Sequence, residues 1–451
     1  MNVSQIRFDR RKLLGMAGAG GAALVAGGVA LRLSKQPPAE AAGQLAQAGH
    51  LLRRAGFAPS EADINAALGD GLSRTIDRLL HPESVSDTAL DATLAAGAYD
   101  VTKIGDLRRW WLTRMALTRR PLLEKMTLFW HGLLTSSYRK TGQGDLMYLQ
   151  NQFLRTHALG SLSDLLTGIT IDGAMLRWLD GTGSSKAHPN ENYARELMEL
   201  FTMGVGNFTE SDVRAAARAL TGWALDRQGQ VSFRPQVHDN EVKTFLGRTG
   251  RLGMGDVISA ILANPATPRY LAGRMWSFFV YPNPTDGDLA PVVDAFRQSH
   301  GNIGAMMEAV LRSPAFSSPK AYRALVKSPA ELIAGFSRQL GHPIDAADAA
   351  AGDAMGQGLF DPPSVAGWAP GAAWLSTGSW MARMHYLLAR VHTLPGTTLP
   401  GGTTSALVDH LLAMMVDGSV APAARQALVD HRGTPAEVAF LVAATPEYQL
   451  S

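Results

Sequence analysis

Apolar residues recur at intervals of three and four along most of the chain, which is the spacing of one face of an α-helix. The spacing Ser60-x-x-Asp63 marks the start of one such helix. Between residues 82 and 105 the pattern weakens, which favours a loop or a mobile helix. Strand-like residues around Gly229 predict one small hairpin, near residues 224–246. We therefore expect a mainly α protein: a multi-helix orthogonal bundle with a small β-hairpin insertion.

The segment from Asn190 to Phe201 is predicted to form a helix with one apolar and one polar face. At 3.6 residues per turn, side chains three and four positions apart lie on the same side. The apolar face contains Tyr193, Ala194, Leu197, Leu200 and Phe201, and the polar face contains Glu191, Asn192, Arg195, Glu196 and Glu199. Asn190 is a suitable N-cap for this helix.

The polar face has two interpretations. In one, Asn192, Glu196 and Glu199 converge on a ligand, because they are spaced at i, i+4 and i+7, and Glu196 acts as a base or a metal ligand. In the other, Glu191, Arg195 and Glu199 form a solvated ladder of ion pairs, which is the usual role of charges on a helix. The flanking asparagines and the glycine-rich turn that follows favour a pocket.

A second helix is predicted directly after this turn, with Thr209 and Asp212 as its capping box. The run from residue 190 to residue 223 contains Asn-Glu-Asn-x-Ala-Arg-Glu-Leu and ends in Ala-Arg-Ala-Leu-Thr-Gly-Trp. This run closely resembles the bacterial domain-of-unknown-function 1800 family, and the resemblance extends over most of residues 45–390. It implies a fold and export by the twin-arginine route, but no reaction.

Other segments that resemble the family add candidate site residues. In the family, Phe-Trp-His is usually followed by a second histidine two residues on, but this chain has Leu133 there. A metal site with two histidine ligands is therefore excluded here. The remaining histidine is either a functional residue or a hydrogen-bonded residue of the core. The candidates from these segments are His131, His238, Asp239, Lys243 and Trp368. The alternatives are an Asp-stabilised turn at Asp239 and a tryptophan that pins a loop to the core.

Composition narrows the class of protein. The chain has 451 residues, of which 46% are hydrophobic and 18% charged, as in a soluble globular protein. Residues 1–41 contain six basic and two acidic residues, and the remainder contains 36 basic and 37 acidic ones, a net charge of −1. The high sequence pI of about 9.1 thus does not indicate a nucleic-acid-binding field. Cysteine is absent, which excludes disulfides, thiolate metal sites and a cysteine nucleophile.

The amino terminus predicts the location of the protein. Arg10 and Arg11 precede a glycine- and alanine-rich apolar stretch, and Ala39-x-Ala41 offers a cleavage site, as in a twin-arginine signal peptide. We expect a periplasmic or secreted protein without a stable membrane span after cleavage, the alternative being an uncleaved anchor. The predicted domains are a signal peptide (1–41), a helical domain (42–392), and a linker with a carboxyl-terminal helical appendage (393–451).

Two functions remain open from the sequence. The first is a hydrolase, assisted by a divalent metal, whose catalytic candidates are Glu196, Glu199, His131, His238 and Asp239. Its substrate-binding candidates are Asn190, Glu191, Asn192, Arg195, Lys243 and Trp368. The second is a non-catalytic envelope protein that assembles with another twin-arginine-exported protein. In that case the same polar cluster is a structural network.

Overall fold

A computed structural model describes residues 43–394, 399, 405–431 and 433–451. The predicted signal peptide lies outside the described residues, and so does most of the predicted linker. The described chain is mainly helical, which confirms the predicted fold class. Across the described ranges, every helix is too short or too polar to cross a membrane.

The helices and strands follow one another with short connections. The first group is α1 (Gln44–Arg54), α2 (Glu61–Asp70), α3 (Leu72–Leu80), α4 (Thr88–Ala96), α5 (Ile104–Leu117), α6 (Pro121–Leu133), α7 (Tyr138–Thr141), α8 (Gly144–His157), α9 (Leu162–Thr170) and α10 (Gly173–Trp178). The central group is α11 (Glu191–Glu196), a π-helix (Leu197–Thr202), α12 (Glu210–Ala219), β1 (Trp223–Leu225), β2 (Val231–Phe233), β3 (Lys243–Phe245) and β4 (Arg248–Gly250). The last group is α13 (Met254–Ala263), α14 (Ala266–Phe279), α15 (Asp286–Gln298), α16 (Ile303–Leu311), α17 (Pro329–Leu340), α18 (Ala346–Ala354), α19 (Thr377–Val391), α20 (Ser405–Val416), α21 (Pro422–Val429), α22 (Pro435–Ala443) and α23 (Pro446–Gln449).

Local signals set many of the helix starts. The capping box predicted at Thr209 is formed with Asp212, and the helix start predicted at Ser60 is also a capping box, formed with Asp63. The weakly patterned stretch after residue 82 contains α4, in which only Leu90 is buried. A helix that buries one side chain has little apolar periodicity, which explains why its pattern is weak.

The β-structure is larger than predicted. One hairpin was expected, but the described residues contain two separate antiparallel pairs, β1 with β2 and β3 with β4. The second turn places Leu246 at a φ of 44°, and its N–H donates to Asp212 Oδ1 at 2.8 Å. A leucine in the left-handed region is not a turn signal, so a contact from α12 fixes this hairpin.

Two hydrophobic cores hold the helices together. The first combines side chains from α1, α6, α9, the π-helix and α14, among them Trp130, Phe201 and Trp276. The second combines α5, α17 and α19 with the carboxyl-terminal helices, and Tyr448 is completely buried in it. The described part of residues 393–451 thus packs into a core that it shares with the helical domain.

Candidate functional site

The Asn190–Phe201 segment begins as predicted and then changes its helix type. The Asn190 side chain accepts the N–H of Asn192 at 2.8 Å, which confirms the N-cap. The α-helix ends at Glu196 and continues as a π-helix to Thr202, with the N–H of Met203 bonded to the carbonyl of Met198 at 2.8 Å. The prediction of one uniform α-helix is therefore wrong in its second half. A π-helix has more residues per turn than an α-helix, and single π-turns often occur at functional sites.

The apolar face packs into the first core. Tyr193, Ala194, Leu197 and Phe201 are buried as predicted, and Leu200 is half-buried. The hydroxyl groups of Tyr193 and Thr170 lie 2.8 Å apart, which fixes the first turn against α9. This packing determines which side of the segment remains accessible.

The polar face is accessible to solvent to different degrees. Glu191 and Asn192 are exposed, and the following three polar residues are half-buried. Arg195 donates from both Nη atoms to the two carboxylate oxygens of Glu210 on α12, at 2.7 Å each, and lies 4.0 Å from Glu191. The arginine thus ties the two helices together at the surface. Of the predicted ion-pair ladder, only the contact with Glu191 is formed.

Glu196 and Glu199 are two neighbouring carboxylates on this face, and we call them the carboxylate pair. Neither side chain has a hydrogen bond or an ion pair with any residue in the described ranges. Burial, and then the charge of Glu199, raises the pKa of Glu196, although Arg195 lowers it in part. The pair can accept hydrogen bonds or hold a cationic group, and Glu196 can retain a proton at higher pH than an isolated glutamate.

His131 and Trp368 come together, but away from α11. The two rings lie 5.5 Å apart, and His131 also contacts Trp111 at 5.2 Å. His131 Nε2 accepts the N–H of Phe360 at 3.2 Å, and burial lowers the pKa of this histidine to about 3. No hydrogen bond, ion pair or ring contact among the described residues joins this group to the carboxylate pair. His131 is therefore a neutral core residue that holds the Trp368 loop.

The His238-Asp239 loop is a separate network. The Asp239 carboxylate accepts hydrogen bonds from Arg218 Nε at 2.6 Å and Nη2 at 3.1 Å. The backbone N–H of Asp239 donates to Thr221 Oγ1 at 2.8 Å, which closes the loop. Lys243 Nζ donates to three backbone carbonyls and lies 3.6 Å from Asp239. His238 Nδ1 lies 2.9 Å from the Thr221 carbonyl. These side chains stabilise the loop. Burial would raise the pKa of Asp239, but Arg218 and a backbone N–H outweigh it, so the pKa is lowered.

Three residues that hold the candidate site residues in place were not predicted from the sequence. Glu210 and Arg218 on α12 hold Arg195 and Asp239, and Thr221 anchors the loop. Arg218 and Thr221 belong to the Ala-Arg-Ala-Leu-Thr-Gly-Trp motif, so this motif contained the signal for their role. Their partners are 15 to 21 positions away along the chain.

Metal ligands do not gather at this site. Within the residues that the structure covers, no group of three or more histidine, aspartate or glutamate side chains is placed to hold a metal ion. A cavity of about 710 Å³ lies elsewhere, between α3, α6, α8 and α16, where Arg120, Arg155 and Asn302 contribute to its wall. None of the candidate site residues lines it.

Comparison with known proteins identifies the family. Residues 50–450 match the family described as "Protein of unknown function (DUF1800)", so the chain belongs to this family. The match includes the α11 motif, both histidine segments and the carboxyl-terminal helices, and it confirms the resemblance seen in the sequence. Comparisons with curated proteins and with solved structures gave no match.

Proposed function

We propose that this member of the DUF1800 family is an exported, non-catalytic envelope protein that assembles with a partner protein through the face of α11 and the π-helix. One observation carries the proposal. The unpaired carboxylates of Glu196 and Glu199 lie a few residues before a turn whose Val205 side chain is 78% exposed. An exposed valine on the same short segment as two carboxylates that lack a partner in the described residues supports an interaction surface with a charged partner.

The turn that carries Val205 is held in a defined shape. Gly204 and Gly206 adopt φ values of 78° and 84°, which favour glycine. A Cβ atom at Gly204 would lie 3.0 Å from the Tyr270 ring, and the Tyr270 hydroxyl donates to the Leu200 carbonyl at 2.5 Å. The fixed backbone limits the entropy lost when a partner covers the valine.

The partner has a cationic surface. Within the described part of the chain, Glu196 and Glu199 form no ion pair, because the Arg195 guanidinium is engaged by Glu210. Lysine or arginine side chains of a partner would neutralise the pair and remove the repulsion between the two carboxylates. The amino-terminal signal supports export, and another exported protein is the partner class that fits this location.

A hydrolase is the second candidate, and the raised pKa of Glu196 favours it. A carboxyl group whose pKa is raised by burial and by a neighbouring carboxylate is a candidate general acid. The other proposed catalytic groups do not join it, since His131 lies in the core and Asp239 is held by Arg218. For this reason we place assembly first.

Carbodiimide cross-linking of the envelope fraction tests the proposal, because it joins carboxylates directly to amines. We expect a cross-link from Glu196 or Glu199 to a lysine of one exported protein, identified by mass spectrometry of the joined peptides. The double variant Glu196→Gln with Glu199→Gln should lose this product without a change in melting temperature. The control variant Asp91→Asn with Asp164→Asn, which neutralises two exposed carboxylates on α4 and α9, should retain it.

Two results would contradict assembly. One is the absence of any cross-link to these glutamates in the native envelope, and the other is an equal yield from the double variant. Loss of a hydrolytic activity in Glu196→Gln, with cross-linking unchanged, would favour the hydrolase instead.

A further inference from the structure

The geometry points to a second interaction surface on the β1–β2 hairpin, and we propose that it binds an acidic segment of a partner protein. We call it the hairpin surface, and it consists of Lys186, His188, Trp223, Phe233, Arg234 and Val237. None of these residues belongs to α11 or the π-helix, which carry the carboxylate pair, so the inference stands independently of the proposed function.

Backbone hydrogen bonds bring the members of the hairpin surface together. The N–H of Gly222 donates to the carbonyl of Ser184 at 3.1 Å, and the N–H of Lys186 donates to the carbonyl of Val237 at 2.7 Å. Strand β1 is paired with β2, so that Trp223 lies opposite Phe233. The loop before α11 and the hairpin after α12 therefore form one continuous surface.

Apolar side chains of the hairpin surface are exposed. Phe233 is 43% exposed and Val237 is 37% exposed. Aromatic residues and arginine are enriched among the residues that dominate protein interfaces. Exposure of these two side chains on the hairpin surface supports a partner that covers them.

The ring arrangement favours a peptide over a sugar. The Trp223 and Phe233 rings lie 5.0 Å apart, and the His238 ring lies 5.3 Å from the Phe233 ring. The planes of Trp223 and Phe233 are tilted by 50° and those of Phe233 and His238 by 62°, so these three rings do not form the flat platform on which a sugar ring stacks. Extended peptide side chains can instead contact the ring edges and the neighbouring valine.

Lys186 and Arg234 give the hairpin surface its positive charge. Lys186, His188 and Arg234 are exposed, and none of their side chains makes an ion pair or hydrogen bond within the described part of the chain. The Asp226 carboxylate accepts two backbone N–H groups in the turn, and Glu241 interacts electrostatically with Arg218. Charge complementarity therefore selects an acidic segment.

Fluorescence anisotropy with two labelled polymers tests the inference on the full chain. The probes are poly-glutamate and a random copolymer of glutamate and tyrosine. We expect the copolymer to bind more tightly, and added salt to weaken both. Arg234→Glu should weaken copolymer binding about tenfold. Phe233→Ala should remove the difference between the two polymers. The matched control is Arg251→Glu, which changes an exposed arginine beyond β4. Its affinity for the copolymer should stay within about twofold of that of the original protein.

Each outcome decides the question. Absence of copolymer binding, or an equal loss in Arg251→Glu, would overturn the inference. Tighter binding of polygalacturonate than of the copolymer would also overturn it, in favour of an acidic polysaccharide. Self-association that both Arg234→Glu and the Glu196/Glu199 double variant abolish would identify a second copy as the occupant. The double variant should otherwise bind the copolymer normally, and Arg234→Glu should keep the carbodiimide cross-link, so the two proposals fail separately.

Discussion

Replacement of Glu124 by glutamine tests how a buried charge holds three helices together. Glu124 on α6 is 1% exposed and accepts hydrogen bonds from Trp111 Nε1 and Arg114 Nε, both at 3.0 Å. It also binds Arg155 on α8, at 2.6 Å from Nε and 3.0 Å from Nη2. Burial would raise the pKa of Glu124, but Arg155 and Arg114 lower it to about 2.

The cost of Glu124→Gln follows from these contacts. A fall in pKa from 4.5 to about 2 corresponds to roughly 3 kcal/mol of free energy of unfolding. In comparable cases, leaving a buried arginine such as Arg155 without its carboxylate costs about 3–5 kcal/mol, which agrees with the value from the pKa. For a chain of 451 residues the entropy of unfolding is about 0.9 kcal/mol/K, so we expect the melting temperature to fall by roughly 3–5 °C at pH 7.

The effect depends on pH with a defined sign. Because the folded pKa of Glu124 is below its unfolded value, its stabilisation is fully present above about pH 4.5. It is lost as the pH falls towards 2. The difference between the original protein and the variant should therefore shrink below about pH 4.5.

Thermal unfolding followed by circular dichroism at pH 7 and pH 4 provides the assay. The control is Asp409→Asn, which removes an exposed partner of Arg425 and should change the melting temperature little. If Glu124→Gln melts within about 1 °C of this control at pH 7, the buried charge does not stabilise the fold as argued.

Three further predictions concern the core and the amino terminus. Burial lowers the pKa of His131 to about 3, so protonation favours the unfolded chain below pH 6.5, and the stability lost by pH 5 is about 2 kcal/mol. In urea titrations, His131→Gln should lose less stability than the original protein between pH 7.5 and pH 5. A Cβ atom on Gly49 would lie 2.0 Å from Asp417 Oδ1, so Gly49→Ala should disrupt the buried pair of Asp417 with its arginine and lower the melting temperature. Replacement of Arg10 and Arg11 by lysine should leave the protein in the cytoplasm, as measured by cell fractionation.

These predictions have clear controls. Gly105→Ala adds the same methyl group where nothing lies within 4 Å, and it should not destabilise the protein. An equal effect of the two alanine variants would contradict the role of the Asp417 contact. Identical pH dependence with and without His131, or normal export of the double lysine variant, would refute the other two predictions.

The sequence alone predicted the features that depend on neighbouring residues. Helical periodicity, the N-cap at Asn190, the helix start at Ser60 and the capping box at Thr209 are local, because each involves groups within four positions of one another. The buried and accessible faces of α11 followed from the same periodicity. The family was visible in the motif between residues 190 and 223.

Tertiary packing decided which polar residues meet. Arg195 binds Glu210 on α12, and Asp212 fixes the turn at Leu246, 34 positions away. Whether a histidine next to tryptophan becomes a ligand or a neutral core residue depends on what packs over it, and at His131 that is the Trp368 loop. Periodicity places a side chain on a face, but contacts between distant helices set its partner, burial and charge.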